Sequence, residues 1–386
     1  MLLAFAPMLL AAATATTGPA RSLSDMSGRS VLLPAEIRRV VTVSDGLIEG
    51  VMTCFGVQDR IVGLGSRALQ KTWDYSFQGE GGETYTYRDG MNPVRFLNPR
   101  FANLPLVCDG PAMNMETLAG LAPDLVILRL GSCNLPGRDD GVQMTIRTID
   151  SLGIPLVVLK GPNAAGSPAV SSISVEIRLL GKVFDRTGEA EKLVSVLEDR
   201  VNRIRERTAG IAEEAKPRIL LFGPSRGARD KGAAGQVFGL DTLESGFIEE
   251  WVNARNAFRA QGSFRLVSAE QLLALNPDVI VLSTAAGYHP PRELYEAPYC
   301  RHLREMRAVR DRKVSSLPWT PWNCEKRLEY PIDVMVIAKA AYPERFADID
   351  LGEWLLDFYG SVYGVDRKTA ARLRSCQWLD WTLEGG

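Results

Sequence analysis

Apolar residues along this chain fall into two kinds of run. The first is a set of short, continuous Val/Ile/Leu stretches: Arg39-Val-Val-Thr-Val43, Leu125-Val-Ile-Leu128, Pro155-Leu-Val-Val-Leu159, Arg218-Ile-Leu-Leu-Phe222, Val279-Ile-Val-Leu282 and Lys313-Val-Ser-Ser-Leu317. Runs without alternation predict strands covered on both faces, and such strands belong to parallel α/β sheets. The second kind recurs at helical spacing between about Ala169 and Thr208: Ile173, Ile177, Leu180, Phe184, then Leu193, Val194, Leu197, Val201 and Ile204, with Glu and Arg on the opposite face. This segment has neither Pro nor a Gly pair, so it predicts a long helical connector, with Gly181 and Gly188 the points where it can bend. A helix limits the parts it joins to small hinge motion, where a Gly/Ser linker would let them tumble.

The strands repeat. Glu116-Thr-Leu-Ala-Gly-Leu-Ala-Pro-Asp-Leu-Val-Ile-Leu128 aligns without a gap on Glu270-Gln-Leu-Leu-Ala-Leu-Asn-Pro-Asp-Val-Ile-Val-Leu282. Each copy reads as a short helix, a Pro-Asp turn and a buried strand. The flanking strands match as well, which gives two lobes of one plan. The expected division is an N-terminal lobe over 36–165, a connecting helix over 166–214 and a C-terminal lobe over 215–386 with terminal helices. Arg39 to Glu116 spans 77 positions and Arg218 to Glu270 only 52, so the first lobe carries about 25 extra residues. They fall in 66–104, where Trp73, Tyr75, Phe77, Tyr85 and Tyr87 argue for an ordered and functional insertion.

Composition narrows the class. A chain of 386 residues suits two domains, and 46% apolar with 24% charged residues is ordinary for a globular protein. A net charge of −1 implies no basic face for nucleic acid. Met1 to Ala15 is an apolar run ending in Ala13-Thr14-Ala15, so 1–20 reads as a secretory signal and the protein as periplasmic. No cysteine follows that pattern closely, the first being Cys54, so no lipid anchor is expected. The six cysteines form no CxxC pair. One or two disulfides are compatible with export, Cys300 with Cys324 being the favoured pair, and free buried thiols are the alternative.

Two parallel α/β lobes with matching Pro-Asp strand motifs, joined by one long helix, resemble the periplasmic binding proteins of ABC importers for ferric siderophores, haem and vitamin B12. The resemblance runs from about Arg38 to Asp357. It includes Ser44-Asp-Gly-Leu-Ile-Glu-Gly-Val51, Asp59-Arg-Ile-Val-Gly-Leu64, Leu152-Gly-Ile-Pro-Leu156 and Leu328-Glu-Tyr-Pro-Ile332. It implies an interlobe ligand cleft, no enzyme activity, no cofactor, and a permease with ATPase subunits as partner to a monomeric binding protein. In the B12 and siderophore binders a surface Glu on each lobe docks onto permease arginines. Glu116 and Glu270 hold matching places in the repeat and are the expected docking residues, although a Glu in a first helical turn also favours the helix dipole.

Ligands of parallel α/β sheets bind beyond the carboxyl ends of the strands. The expected ligand-binding residues are therefore Ser44, Asp45, Arg67, Arg129 and Ser132 in the first lobe, with Trp73 and Tyr75 from the insertion. In the second lobe they are Arg226, Tyr288, His289, Trp319 and Trp322. Arginine pairs with carboxylates and oxyanions through two-pronged hydrogen bonds, and Arg129 is the foremost candidate because it interrupts an apolar strand at its end. Aromatic rings suit a bulky ligand, and a neutral His can touch the metal of a chelate. With only two histidines, a bare-metal trap is disfavoured. The expected ligand is an iron chelate of siderophore, haem or cobalamin type, with molybdate or tungstate as the alternative and a non-transport ligand sensor as another. A Gly223-Pro-Ser-Arg-Gly227 elbow raises a hydrolase reading, but the Gly-, Asp- and Lys-rich sequence after it starts a helix poorly.

Overall fold

The computed structural model describes residues 21–109, 112–131, 140–164, 169–284, 287–321 and 326–383. Residues 1–20, read above as a secretory signal, lie outside the described residues, as do Ser132, Trp322, Cys133 and Cys324, and with them the Cys300–Cys324 pairing. Cys54, Cys108, Cys300 and Cys376 are free thiols.

The chain is α/β with two sheets. The first is wholly parallel, in the order Leu156–Lys160, Leu125–Leu130, Val40–Val43, Ile61–Leu64. The second runs Arg265–Val267, Gly235–Val237, Arg218–Gly223, Val279–Leu282, Val314–Ser316, with Arg255–Asn256 beside the start of Arg218–Gly223. Its last three strands are parallel, but Gly235–Val237 and Arg265–Val267 join antiparallel. Only the four-residue helix Arg226–Arg229 lies between Arg218–Gly223 and Gly235–Val237, too short a link for a parallel crossover. The all-parallel expectation thus holds for the first lobe and for the central strands of the second.

The central parallel strands are buried on both sides, and their alternate residues reach different cores. Val41, Val43, Val126, Leu128 and Val158 pack outward, as do Leu220, Phe222, Ile280 and Leu282 in the second lobe. Val40, Leu125, Ile127, Val157, Ile219, Leu221, Val279 and Val281 face one continuous central core shared by both lobes. That core is helical: it holds Leu193, Val194, Leu197 and Val201 of the connector together with the helices Tyr330–Ala341 and Leu351–Tyr363.

The Pro-Asp repeat has one physical purpose in both lobes. Asp124 Oδ2 accepts the backbone N–H groups of Arg38 and Arg39 at 2.7 and 2.8 Å, and Asp278 Oδ2 accepts that of Arg218 at 2.8 Å. The same aspartates donate their own N–H to the carbonyls of Arg39 and Arg218. Each therefore clamps the start of the neighbouring parallel strand. Asp124→Ala and Asp278→Ala are each expected to lower unfolding free energy by about 1.5–3 kcal/mol, the range for hydrogen bonds to a charged group. Equal denaturant midpoints for variants and wild type would contradict this.

The 166–214 connector is two helices. Ser172–Phe184 ends at Asp185, which is left-handed at φ 56°, and Thr187–Thr208 folds back along it. Ser174 Oγ donates to Glu198 and Arg178 pairs with Glu191, the pattern of an antiparallel hairpin. The 22-residue Thr187–Thr208 helix alone carries the chain into the second lobe.

The insertion forms a hairpin, Trp73–Gln78 with Thr84–Gly90, that straps the first lobe to the second. Phe77 enters the second lobe's outer core, and Tyr75, Tyr85 and Tyr87 pack against it. Glu80 at the tip accepts from Arg301 and Arg304, both at 2.7 Å. At the base, Trp378 Nε1 donates to the Arg88 carbonyl at 2.8 Å. Gly90 has to be glycine, because a Cβ there would lie 2.3 Å from the Trp378 ring.

Candidate functional site

The lobes meet where the Val40–Val43 strand ends and the Tyr330–Ala341 helix begins. Ser44 Oγ donates to Glu49 at 2.6 Å and accepts the N–H groups of Gly46 and Ile48, which starts the helix Leu47–Cys54. Asp45 accepts from Ser66 Oγ at 2.8 Å, and its carbonyl accepts from Asn92 Nδ2 at 3.0 Å. Both side chains are buried and committed to this turn. They shape the interface, and in this arrangement of the lobes neither is open to solvent.

Arg129 also departs from expectation. It is fully buried and makes a two-pronged ion pair with Glu176, Nε to Oε1 at 2.7 Å and Nη2 to Oε2 at 2.8 Å. Its Nη1 donates to the Lys326 carbonyl at 3.0 Å, which crosses between the lobes. The charge that broke the apolar strand is there to tie the connector and the second lobe to the first sheet. Position at a strand end gave no indication of this, because Glu176 lies 47 residues further on.

Beside this pair sit two cations that the sequence did not single out. Lys326 Nζ is 2.8 Å from Asp333 and 3.5 Å from Glu244. Burial pulls its pKa down, but these carboxylates outweigh it and the net shift is upward. Arg327 is 3% exposed and donates through Nη2 to the Pro321 carbonyl. Its Nε and Nη1 are buried and have no hydrogen-bond partner. Burial pushes its pKa down. The one sequence cue was a Lys-Arg pair directly before a helix start rich in acid, Glu329 and Asp333.

The second-lobe candidates divide. Tyr288 is buried, its hydroxyl donating to the Trp378 carbonyl at 2.6 Å, with its ring 4.7 Å from Trp378 and 5.0 Å from Tyr87. Trp319 stacks on Trp378 at 5.3 Å, and Trp73 meets Trp319 edge-on at 5.9 Å. Tyr75 packs edge-on against Tyr288 and His289. These aromatics form the base of the strap, so the platform expected for a bulky ligand is occupied by protein. Trp378, the centre of the cluster, was missed because it lies in a terminal segment outside the repeat.

His289 is 3% exposed, with Nδ1 3.0 Å from Glu293 Oε2. Glu293 also accepts from the Tyr299 hydroxyl. The carboxylate fixes the Nδ1–H tautomer and leaves Nε2, which is buried without a partner, as an acceptor. Arg226 stands in solvent, its side chain 87% exposed and 3.8 Å from Asp230. Arg67 is partly exposed in a single turn capped by Ser66. Ser225 is buried and caps the Arg226–Arg229 turn, so the Gly-Pro-Ser-Arg-Gly elbow is a helix start. No cluster of metal-ligating side chains occurs among the described residues, and no helix there is long and apolar enough to cross a membrane.

Glu116 and Glu270 are exposed and hold the same place, two residues after the N-caps Asn114 and Ser268.

Comparison with known proteins agrees with this architecture. The molybdate-binding protein MolA of Haemophilus influenzae is 22% identical over 365 residues, which cover 90% of this chain and 92% of MolA. A periplasmic solute-binding protein from Veillonella parvula superposes with a TM-score of 0.71 at 21% identity, covering 95% of this chain and 99% of its own. MolA bound to molybdate gives 0.65 at 22%, covering 90% and 98%. Helicobacter pylori CeuE with Ni(II) bound gives 0.62 at 18%, covering 91% and 99%. At these identities the superpositions establish the fold. The family model of periplasmic binding proteins matches residues 89–318, well over half the chain, and the chain belongs to that family.

Proposed function

We propose that this protein captures a compact oxyanion of the molybdate type between its lobes and delivers it to the permease of an ABC importer. The observation that carries the reading is the chemistry of the lobe junction. Its aromatics are engaged in the strap, while Arg327 lies beside Gly46 and Asn92 with two buried guanidinium nitrogens unpartnered. Similarity to a molybdate-binding protein over 90% of the chain supports it. The continuous central core implies a small closure, and a ligand drives closure only through its higher affinity for the closed state.

A second reading, the iron chelate, is favoured by His289, whose bare Nε2 is a ready ligand for a metal with an open coordination place. Thermal melts of the mature protein with molybdate, tungstate, ferric siderophores, haem, cobalamin and nickel with histidine separate the two. A true ligand at a hundredfold its Kd adds about 2.7 kcal/mol. A rise with molybdate alone supports the oxyanion. A rise with a chelate alone overturns it and moves the site to His289.

Delivery rests on Glu116 and Glu270. Two acidic knobs in equivalent places on two similar lobes suit a permease with two-fold symmetry, to which a monomer docks. The double variant Glu116→Ala, Glu270→Ala is expected to bind ligand as wild type does and to lose at least tenfold in uptake. Unimpaired uptake would refute the docking role.

A further inference from the structure

Gly46 precedes the eight-residue helix Leu47–Cys54 and adopts φ 125°, a conformation that side chains rarely take. A Cβ added there would lie 2.7 Å from Asn92 Nδ2, 3.1 Å from Arg327 Cδ and 3.2 Å from Arg327 Nε. The first turn of a first-lobe helix, an amide and a guanidinium from the second half of the chain thus converge on one point at the lobe junction. Two of the three guanidinium nitrogens there are buried and unpartnered.

The surrounding acids make their hydrogen bonds to other groups, and Asp45 and Glu329 act on Arg327 only through their charge. Glu329 Oε1 takes the Tyr363 hydroxyl, Asp45 Oδ1 takes Ser66, Glu176 takes Arg129, and Asp333 takes Lys326. Buried donors without acceptors are unfavourable, and the fold keeps two of them on Arg327 beside a helix N-terminus, where backbone N–H groups and the dipole favour an anion.

We infer that Arg327, with the Gly46 turn and Asn92, is the seat of a compact tetrahedral oxyanion. The assignment rests on the oxyanion reading above and adds the residues that receive the ligand. Arg327 donates N–H groups to the anion's oxygens, and the helix N-terminus faces its charge. Gly46 lets Asn92 and Arg327 approach the helix start closely, where a side chain would push them away. Because Arg327 is 3% exposed here, the anion reaches it only as the lobes part. The seat matches dense charge on a small body.

The test is molybdate titration of wild type, Arg327→Met and Arg327→Lys, followed by thermal midpoint and calorimetry. Without ligand, Arg327→Met should melt near the wild-type temperature, since it removes two buried donors that have no acceptor. With molybdate, wild type should shift upward, Arg327→Met should not shift, and Arg327→Lys should bind at least tenfold more weakly. Gly46→Ala, which leaves the charge in place, should also bind at least tenfold more weakly. Arg327→Met binding molybdate like wild type would overturn the seat while leaving the oxyanion reading intact. No response of wild type to molybdate, tungstate, sulfate or phosphate would overturn both.

Discussion

Glu176→Ala is expected to lower unfolding free energy by about 3–5 kcal/mol, the cost of leaving one partner of a buried ion pair alone. Glu176 and Arg129 are both fully buried, and their two hydrogen bonds are 2.7 and 2.8 Å long. The alanine would remove the counter-charge from a guanidinium buried beneath the lobe junction. Replacing both residues by methionine removes the stranded charge and should restore most of the loss, because buried pairs exchange for apolar residues near neutrally. Denaturant midpoints of the single and double variants decide it. If the double variant is as unstable as Glu176→Ala, the pair is not acting as a compensated unit.

Trp378→Ala is expected to cost about 3–5 kcal/mol, as large aromatic truncations in cores do. It removes the ring stacked on Trp319, the ring contacts with Tyr288 and Tyr87, and the hydrogen bond to the Arg88 carbonyl. All of these hold the hairpin across the lobes, so the loss should be local in its consequence. Amide exchange should accelerate through 73–90 by far more than in the Leu125–Leu130 strand. Unchanged protection of the hairpin would show that its tip, through Glu80 with Arg301 and Arg304, suffices to hold it.

What the sequence disclosed follows from the range of the forces involved. Strand starts, helix caps and the Pro-Asp clamp are local, so the repeat was readable and pointed to an α/β chain built on two similar sheets. The break at Asp185 falls between Gly181 and Gly188, where the connector is expected to bend, although apolar spacing alone does not place it. Strand-end position identified Ser44, Asp45, Arg129 and Tyr288 as neighbours of the junction, but not that their side chains turn inward to partners such as Glu176 and Trp378. The aromatics of 66–104 signalled order without signalling what they pack on. Arg327 was invisible because its lack of a partner is a property of the folded molecule alone.

The central claim, an oxyanion held between the lobes, is tested most directly by diffraction from crystals grown with tungstate, using the anomalous signal of tungsten. The account predicts one strong peak at the lobe junction, within hydrogen-bonding distance of Arg327 and beside Gly46. A peak only in an outer surface concavity, such as that lined by Lys216, Arg218, Arg255 and Arg259, would contradict it, as would no peak at concentrations that raise the melting temperature.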